Sequence, residues 1–275
     1  MKVIAIVNQK GGVGKTTTTV NLARGLALKG YRVLAIDLDQ QGHLTKSLGL
    51  SASGNTALEW LTNDLPLSIV TQKASKAPIW YSQKWMPLLP KMVKHDIDVV
   101  TANISLANLE LELQRKLLDR EYVLGKAISK VADCYDYVIV DSPPSFSIIT
   151  INILTAADRV VIPFRPDFLS KDGVHQLLET MEQIKERINP KLKLSGFLPT
   201  MVDKRCNNAA SFEEAKELTT QYGGIVFDEG IRLASVLCKA PELGMSIFDY
   251  EPKSAAAQDY QAFVDKFLEI EGDSK

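Results

Sequence analysis

Residues 3–17 read Val3-Ile-Ala-Ile-Val7-Asn-Gln-Lys10-Gly-Gly-Val-Gly-Lys15-Thr-Thr17: an unbroken apolar run, a glycine-rich turn, then a lysine and two threonines. An apolar run without alternation is what a strand buried on both faces of a parallel sheet requires. A helix is expected from about Lys15 to Lys29, with Gly30 where a C-terminal cap glycine belongs. Arg32–Ile36 is a second strand that ends at Asp37, which completes a βαβ unit. Working outward, strands are expected at Ile97–Thr101, Tyr137–Val140, Arg159–Ile162 and Leu192–Leu198. Helical patterns lie at Ser105–Val131 (broken near Asp119), Phe146–Ala156, Lys171–Ile188, Ala209–Tyr222 and Ser254–Ile270. Strands alternating with helices give an α/β class: a doubly wound, mostly parallel sheet with helices on both faces. Ligands bind such sheets beyond the carboxyl ends of the strands. The residues that follow Val7, Ile36, Val140 and Ile162 are therefore the informative ones.

Residues 10–17, Lys-Gly-Gly-Val-Gly-Lys-Thr-Thr, fall between a strand and a helix, which is the setting a phosphate loop needs. Glycines Gly11, Gly12 and Gly14, with Val13 between them, let backbone N–H groups converge on a phosphate, and the helix N-terminus adds its positive end. Lys15 reaches the β- and γ-phosphates, Thr16 offers a hydroxyl to Mg²⁺, and Thr17 bonds the α-phosphate. The common pattern G-x-x-x-x-G-K-[ST] has Gln9 at its first glycine position here, with Lys10 beside it. A lysine that opens the loop points away from its own nucleotide and suits a phosphate presented by a second subunit. Tyr137-Val-Ile-Val-Asp141 is four apolar residues ending in an acid, and Asp141 would bind Mg²⁺ through water, because Mg²⁺ keeps much of its hydration. Asp37 and Asp39 leave the second strand on one side, so both can face the phosphates.

Asn8 to Thr18 resembles the deviant Walker A loop of the ParA/Soj/MinD ATPases, and the chain is similar to the ParA/Soj branch from end to end except within about 55–96. The resemblance implies a P-loop NTPase fold, ATP and Mg²⁺, and an ATP-sandwiched homodimer in which Lys10 contacts the partner's phosphates. It makes Asp39 the residue that orients the attacking water and Asp37 the holder of the magnesium's hydration shell. The family's Asp-x-Asp-Pro-Gln-Gly-Asn stretch is Asp37-Leu-Asp39-Gln40-Gln-Gly-His43 here, with Gln40 for proline and His43 for asparagine. Ser142-Pro143-Pro144 resembles the family's switch segment, and Ala157–Pro163 a following strand. Thr200–Arg205 resembles the segment bordering adenine, which carries Met201 and Asp203 over as base neighbours. Ile231–Ser235 and Phe248–Ala255 resemble two further stretches. Arg205 and Arg232 fall where relatives place arginines that touch nonspecific DNA, although Glu229 stands near where another arginine is common.

The whole is 275 residues with 32 Lys plus Arg against 33 Asp plus Glu, a net charge of −1, which excludes a wholly basic nucleic-acid coat and leaves DNA contact to a local patch. Hydrophobic residues at 45% and charged residues at 24% exclude disorder. Cys134, Cys206 and Cys238 are too few and too far apart for a disulfide framework or a zinc site, which fits a reducing cytosol. No apolar run reaches membrane-helix length, and the run at Val3–Val7 is too short for a secretory segment. One domain over 1–275 is expected, with a surface excursion at about 65–95 that holds five lysines, four prolines, Trp80, Tyr81 and Trp85 and no acid. That excursion suits DNA, a cargo adaptor, a partner subunit or cover for the sheet edge. The expected function is a cytoplasmic ATPase, nucleoid-associated when ATP-bound, that moves or positions a plasmid, chromosome or other cargo with a ParB-like or adaptor protein. A MinD-like membrane cycle is the alternative. It meets five acids and two lysines over Asp259–Lys275, a charge that anionic lipid repels. A nitrogenase-iron-protein-like carrier lacks the cysteines it needs between Cys134 and Cys206. A metabolic P-loop kinase would not require Lys10.

Overall fold

The apolar run that opens the chain becomes an inner strand of a single sheet. The computed structural model describes residues 1–74, 96–166, 171–203, 205, 206, 208–228 and 230–273. β1 (Lys2–Ile6) leads through the glycine loop to α1 (Lys15–Leu28) and β2 (Val33–Asp37). Next come α2 (His43–Ser47), α3 (Ala57–Asn63), α4 (Leu67–Val70) and β3 (Thr71–Ala74). β4 (Ile97–Val100), a 3-10 turn at Ile104–Leu106, α5 (Ala107–Arg115), α6 (Val123–Ser129) and β5 (Tyr137–Asp141) follow. The remainder is α7 (Ile148–Ala156), β6 (Arg159–Phe164), α8 (Lys171–Arg187), β7 (Lys193–Pro199), α9 (Ala209–Tyr222), β8 (Ile225–Val226), α10 (Val236–Glu242), α11 (Ile247–Tyr250) and α12 (Ala255–Glu271).

The eight-stranded sheet has the order β3-β4-β2-β5-β1-β6-β7-β8. Every pair is parallel except β3 with β4. Alternate residues of each strand feed two cores: Val3, Ala5, Leu34 and Ile36 pack on one face, and Ile4, Ile6, Val33 and Ala35 on the other. α3, α5, α6 and α7 cover the first face, α1 and α12 the second. The chain leaves β1 toward β2 on one side and later toward β6 on the other, so the crevice at the end of β1 is the switch point where such sheets bind ligands.

α1 ends as its sequence demands. Gly30 takes φ 87°, its N–H reaches the Ala27 carbonyl and the Tyr31 N–H reaches the Leu26 carbonyl, a Schellman closure. The long helical pattern after residue 105 breaks where expected, in a linker whose Asp119 sits at φ 59°. The expected surface excursion differs at its start: α4 and β3 fold there, and β3 pairs antiparallel with β4, Thr71 opposite Val100 and Ala74 opposite Ile97. Trp80, Tyr81 and Trp85 lie outside the described residues.

Two tertiary contacts matter later. Gly49 and Gly244, both at φ 68°, lie backbone against backbone, so that a Cβ on Gly244 would stand 2.5 Å from the Gly49 Cα. At the opposite edge of the sheet from the glycine loop, Glu271 is buried among the strand starts: Arg159 Nε donates to its Oε1 at 2.7 Å, and Lys2 Nζ donates to its carbonyl at 2.8 Å and to Asp273 at 2.6 Å.

Candidate nucleotide site

The glycine loop is shaped by its residues rather than by a bound group. Gly12 and Gly14 adopt φ 72° and 82°, the left-handed region that an L side chain resists. Gly14 is the N-cap of α1 and supplies no side-chain acceptor, so the first N–H groups of a 14-residue helix are left for a ligand. Asn8 anchors the start of the loop: its Nδ2 donates to the Pro163 carbonyl at 2.8 Å and its Oδ1 accepts the Lys10 N–H at 2.9 Å. Thr200, at the end of β7, anchors the far side by donating to the Val13 carbonyl at 2.9 Å. Beside Gly11 and Gly12 a Cβ would meet nothing within 4 Å, so the outer face of the loop is open.

Beneath the loop the ends of β2 and β5 set acids side by side, Asp37 paired in register with Asp141. Both are fully buried, and Asp39 and Lys15 are 7% exposed. Thr16 donates to Asp141 Oδ2 at 2.7 Å and Thr19, one turn further along α1, to Oδ1 at 3.1 Å. Burial first, and then the Asp37 charge, push Asp141 up to about 8. Burial likewise pushes Asp37 up to about 6, against the hydrogen bonds from Thr45. Lys15 is drawn down by burial, opposed by Asp141 and Asp39, and its Nζ donates to the Lys10 carbonyl at 2.9 Å. Two crowded carboxylates beside one buried lysine form a site short of positive charge.

This donor set fits Mg²⁺ carried by a nucleotide. Among the described residues no three His, Cys, Asp or Glu side chains converge as a metal cage. Mg²⁺ needs none, since phosphates and water supply most of its octahedron. Because the Thr16 hydroxyl gives its proton to Asp141, its oxygen lone pairs are left to face a cation.

The structure brings Lys10, Lys15, Thr16, Asp37, Asp39 and Asp141 to one edge of the sheet. Thr200 brings the 199–203 segment against the loop, with Met201 next to it at φ 52°. Asp203 is held by Arg205, whose Nη2 donates to it at 2.6 Å and keeps its carboxyl down at about 2. Arg205 itself is 86% exposed. Arg232 is forked on Asp259, with Nε and Nη2 at 2.6 and 2.7 Å, and its backbone bridges Val202. His43 approaches Asp39 at 3.8 Å. Asn8, Thr19, Thr45 and Thr200 make site contacts that the motif reading does not assign to them. Only Thr19 carries a local signal, being three residues after Thr16 on the same helix face.

A parallel sheet of this order, with a Gly-Lys-Thr loop after β1 and acids at the ends of β5 beside it and of β2 one strand further out, defines the P-loop nucleotide-binding class. A family model described as an AAA domain matches residues 1–194. The sporulation initiation inhibitor protein Soj of Bacillus subtilis is 36% identical over 259 residues, 94% of this chain and 95% of Soj. The chromosome partitioning protein ParA of Caulobacter vibrioides is 34% identical over 277 residues, 99% of this chain and 96% of that one. Among solved structures, a cobyrinic acid a,c-diamide synthase from Mycobacterium smegmatis with bound ADP and magnesium superposes with a TM-score of 0.78 at 31% identity, covering 100% of this chain and 97% of that one. The chain belongs to the ParA/Soj family of ATPases. No helix among the described residues is long and apolar enough to cross a membrane.

Proposed function

We propose that this chain is a Mg²⁺-dependent partitioning or positioning ATPase. It forms a single P-loop domain that dimerises around ATP, binds DNA without sequence preference in that state, and is released when a ParB-like or cargo-adaptor protein stimulates hydrolysis. The observation that carries the reading is the pair of lysines on one loop, Lys15 turned inward over buried Asp141 and Lys10 at the loop's opening, in a chain of the ParA/Soj family. A loop that served one subunit alone would need only Lys15.

In this reading the N–H groups from Gly11 to Thr17 and Lys15 hold the phosphates, and Met201 and Asp203 border the base. Thr16, Asp37 and Asp141 hold the hydrated magnesium. When bound, that ion neutralises charge on the phosphate oxygens. Asp39 orients a water whose oxygen bonds to the γ-phosphorus as the bond to the β–γ bridging oxygen breaks. Lys10 of each protomer offsets the charge that develops on the other's phosphate. Arg205 and Arg232 would meet DNA phosphates as a pair on each protomer, already steadied by Asp203 and Asp259. The chain would work in the cytoplasm and collect on the nucleoid when ATP-bound.

A mobility-shift assay with a nonspecific DNA duplex tests this. Binding is expected with ATP and Mg²⁺, not with ADP, and is lost in Lys10→Ala and Lys15→Ala. Asp39→Ala is expected to hold the DNA-bound dimer. Binding that ignores the nucleotide, or survives Lys15→Ala, overturns the reading. A ligase, as the name of the Mycobacterium smegmatis neighbour would suggest, needs an acceptor, whereas phosphate release stimulated by DNA and a partner without any acceptor favours the positioning ATPase.

A further inference from the structure

Asp37 accepts three hydrogen bonds, and two come from one residue that no sequence motif marks. The N–H and O–H of Thr45 both reach Oδ2, at 2.9 and 2.7 Å, and the Asp39 N–H reaches Oδ1 at 3.2 Å. The Thr45 hydroxyl in turn accepts the N–H of Ala102 at 3.0 Å, just beyond β4. The roles are forced. Ala102 N–H has only a proton to give, so the threonine oxygen must accept it and send its own single proton to Asp37. Thr45 is 2% exposed, so water does not compete for these bonds. The loop is pressed on the same strand end at Gly42, where a Cβ would stand 2.6 Å from the Ala102 carbonyl oxygen.

A carboxylate offers about four lone-pair positions, two on each oxygen. Thr45 fills both on Oδ2 and Asp39 fills one on Oδ1, so a single direction on Oδ1 remains. We propose that Thr45 is a positioning residue: by saturating Oδ2 and borrowing its orientation from Ala102, it turns Asp37 so that only Oδ1 faces the hydrated magnesium of the bound nucleotide. The inference rests on the ATPase reading above. A residue that merely capped the short helix α2 would support the fold without governing how the ion is held.

The experiment measures binding of a fluorescent ADP analogue in EDTA and along a magnesium titration, for the wild type, Thr45→Val and Thr45→Ser. Valine keeps the shape and the N–H but removes the hydroxyl, and serine keeps both. Expected are equal affinities in EDTA, a magnesium midpoint raised roughly tenfold in Thr45→Val, as loss of one hydrogen bond to a charged group implies, and a return to within about twofold in Thr45→Ser. A wild-type midpoint in Thr45→Val overturns the proposal, as does a loss of affinity that is equal with and without magnesium. Should Thr45→Val not fold, Thr45→Cys, with its weak S–H donor, replaces it, and an unshifted midpoint there overturns the proposal equally. A wild type that gains no affinity from magnesium overturns the ATPase reading itself, which no comparison among Thr45 variants could mimic.

Discussion

Asp141 is a carboxylic acid that the fold holds near neutrality, and this has a price in the protein free of nucleotide. Its pKa in the folded chain, raised to about 8 by burial and by Asp37, stands above the unfolded value near 4. A raised carboxyl stabilises the fold fully below the unfolded pKa and loses that contribution as pH climbs toward the folded one. Without nucleotide and in EDTA, unfolding free energy is therefore expected to fall between pH 5 and 8 by up to about 1.4 kcal/mol per pH unit for each such group. Chemical denaturation across that range, wild type against Asp141→Asn, checks it: the variant is expected to lose one proton's worth of slope. At this scale the sequence was readable wherever a position follows from local spacing. Lys15, Thr16, Asp37, Asp39 and Asp141 each sit at the end of a strand or the start of a helix that the apolar runs announce. The contacts of Asn8, Thr45 and Thr200 were not readable, because their partners (Pro163, Ala102 and Val13) lie far along the chain, and no spacing brings them together.

Elements follow the same rule. β1, β2, β5 and β6 are inner strands with nearly continuous apolar runs, and their expected positions, like that of the more mixed β7, hold to within a residue or two. β3, with the mixed sequence Thr-Gln-Lys-Ala, covers an edge and shows one buried residue, so its pattern carries no period. β8 is two residues long, below any period at all. Helix α2 is short and polar, yet it is tied on both sides: its Thr45 to Asp37, and the Gly49 that follows it to Gly244 beyond α10. Gly244→Ala meets both a positive φ and a Cβ 2.5 Å from backbone that has no side chain to move aside. A loss of about 1–3 kcal/mol is expected, read as a lower denaturant midpoint with unchanged slope. Gly272→Ala, at the same φ but with nothing within 4 Å, is the control that isolates the steric part and is expected to lose less.

Over the whole molecule, a net charge of −1 is not spread evenly. The acids include those crowded under the phosphate loop and those that clasp the lower edge of the sheet through Glu271 and Asp273. Both arginines assigned to DNA are forked on carboxylates, so one protomer presents little net attraction to a phosphate backbone. In the proposed ATP-bound dimer two protomers would present four such arginines, and bivalence would then supply what each lacks. In a salt series with ATP the slope of log affinity against log salt is expected near −0.9 per phosphate contact, about −3 to −4 for the dimer. Arg205→Ala is expected to flatten it by about two contacts, and a slope unaffected by that change would remove Arg205 from the interface. The proposed cycle would require parts of the chain to shift with the nucleotide, and the bare seam between Gly49 and Gly244 bears on how. Two backbones in contact without side chains interlock no knobs in holes, so sliding one past the other crosses no rotamer barrier. The seam resembles a plain bearing: α2 and the C-terminal segment meet there on bare backbone, so either glycine replaced by a larger residue would act as a wedge between them.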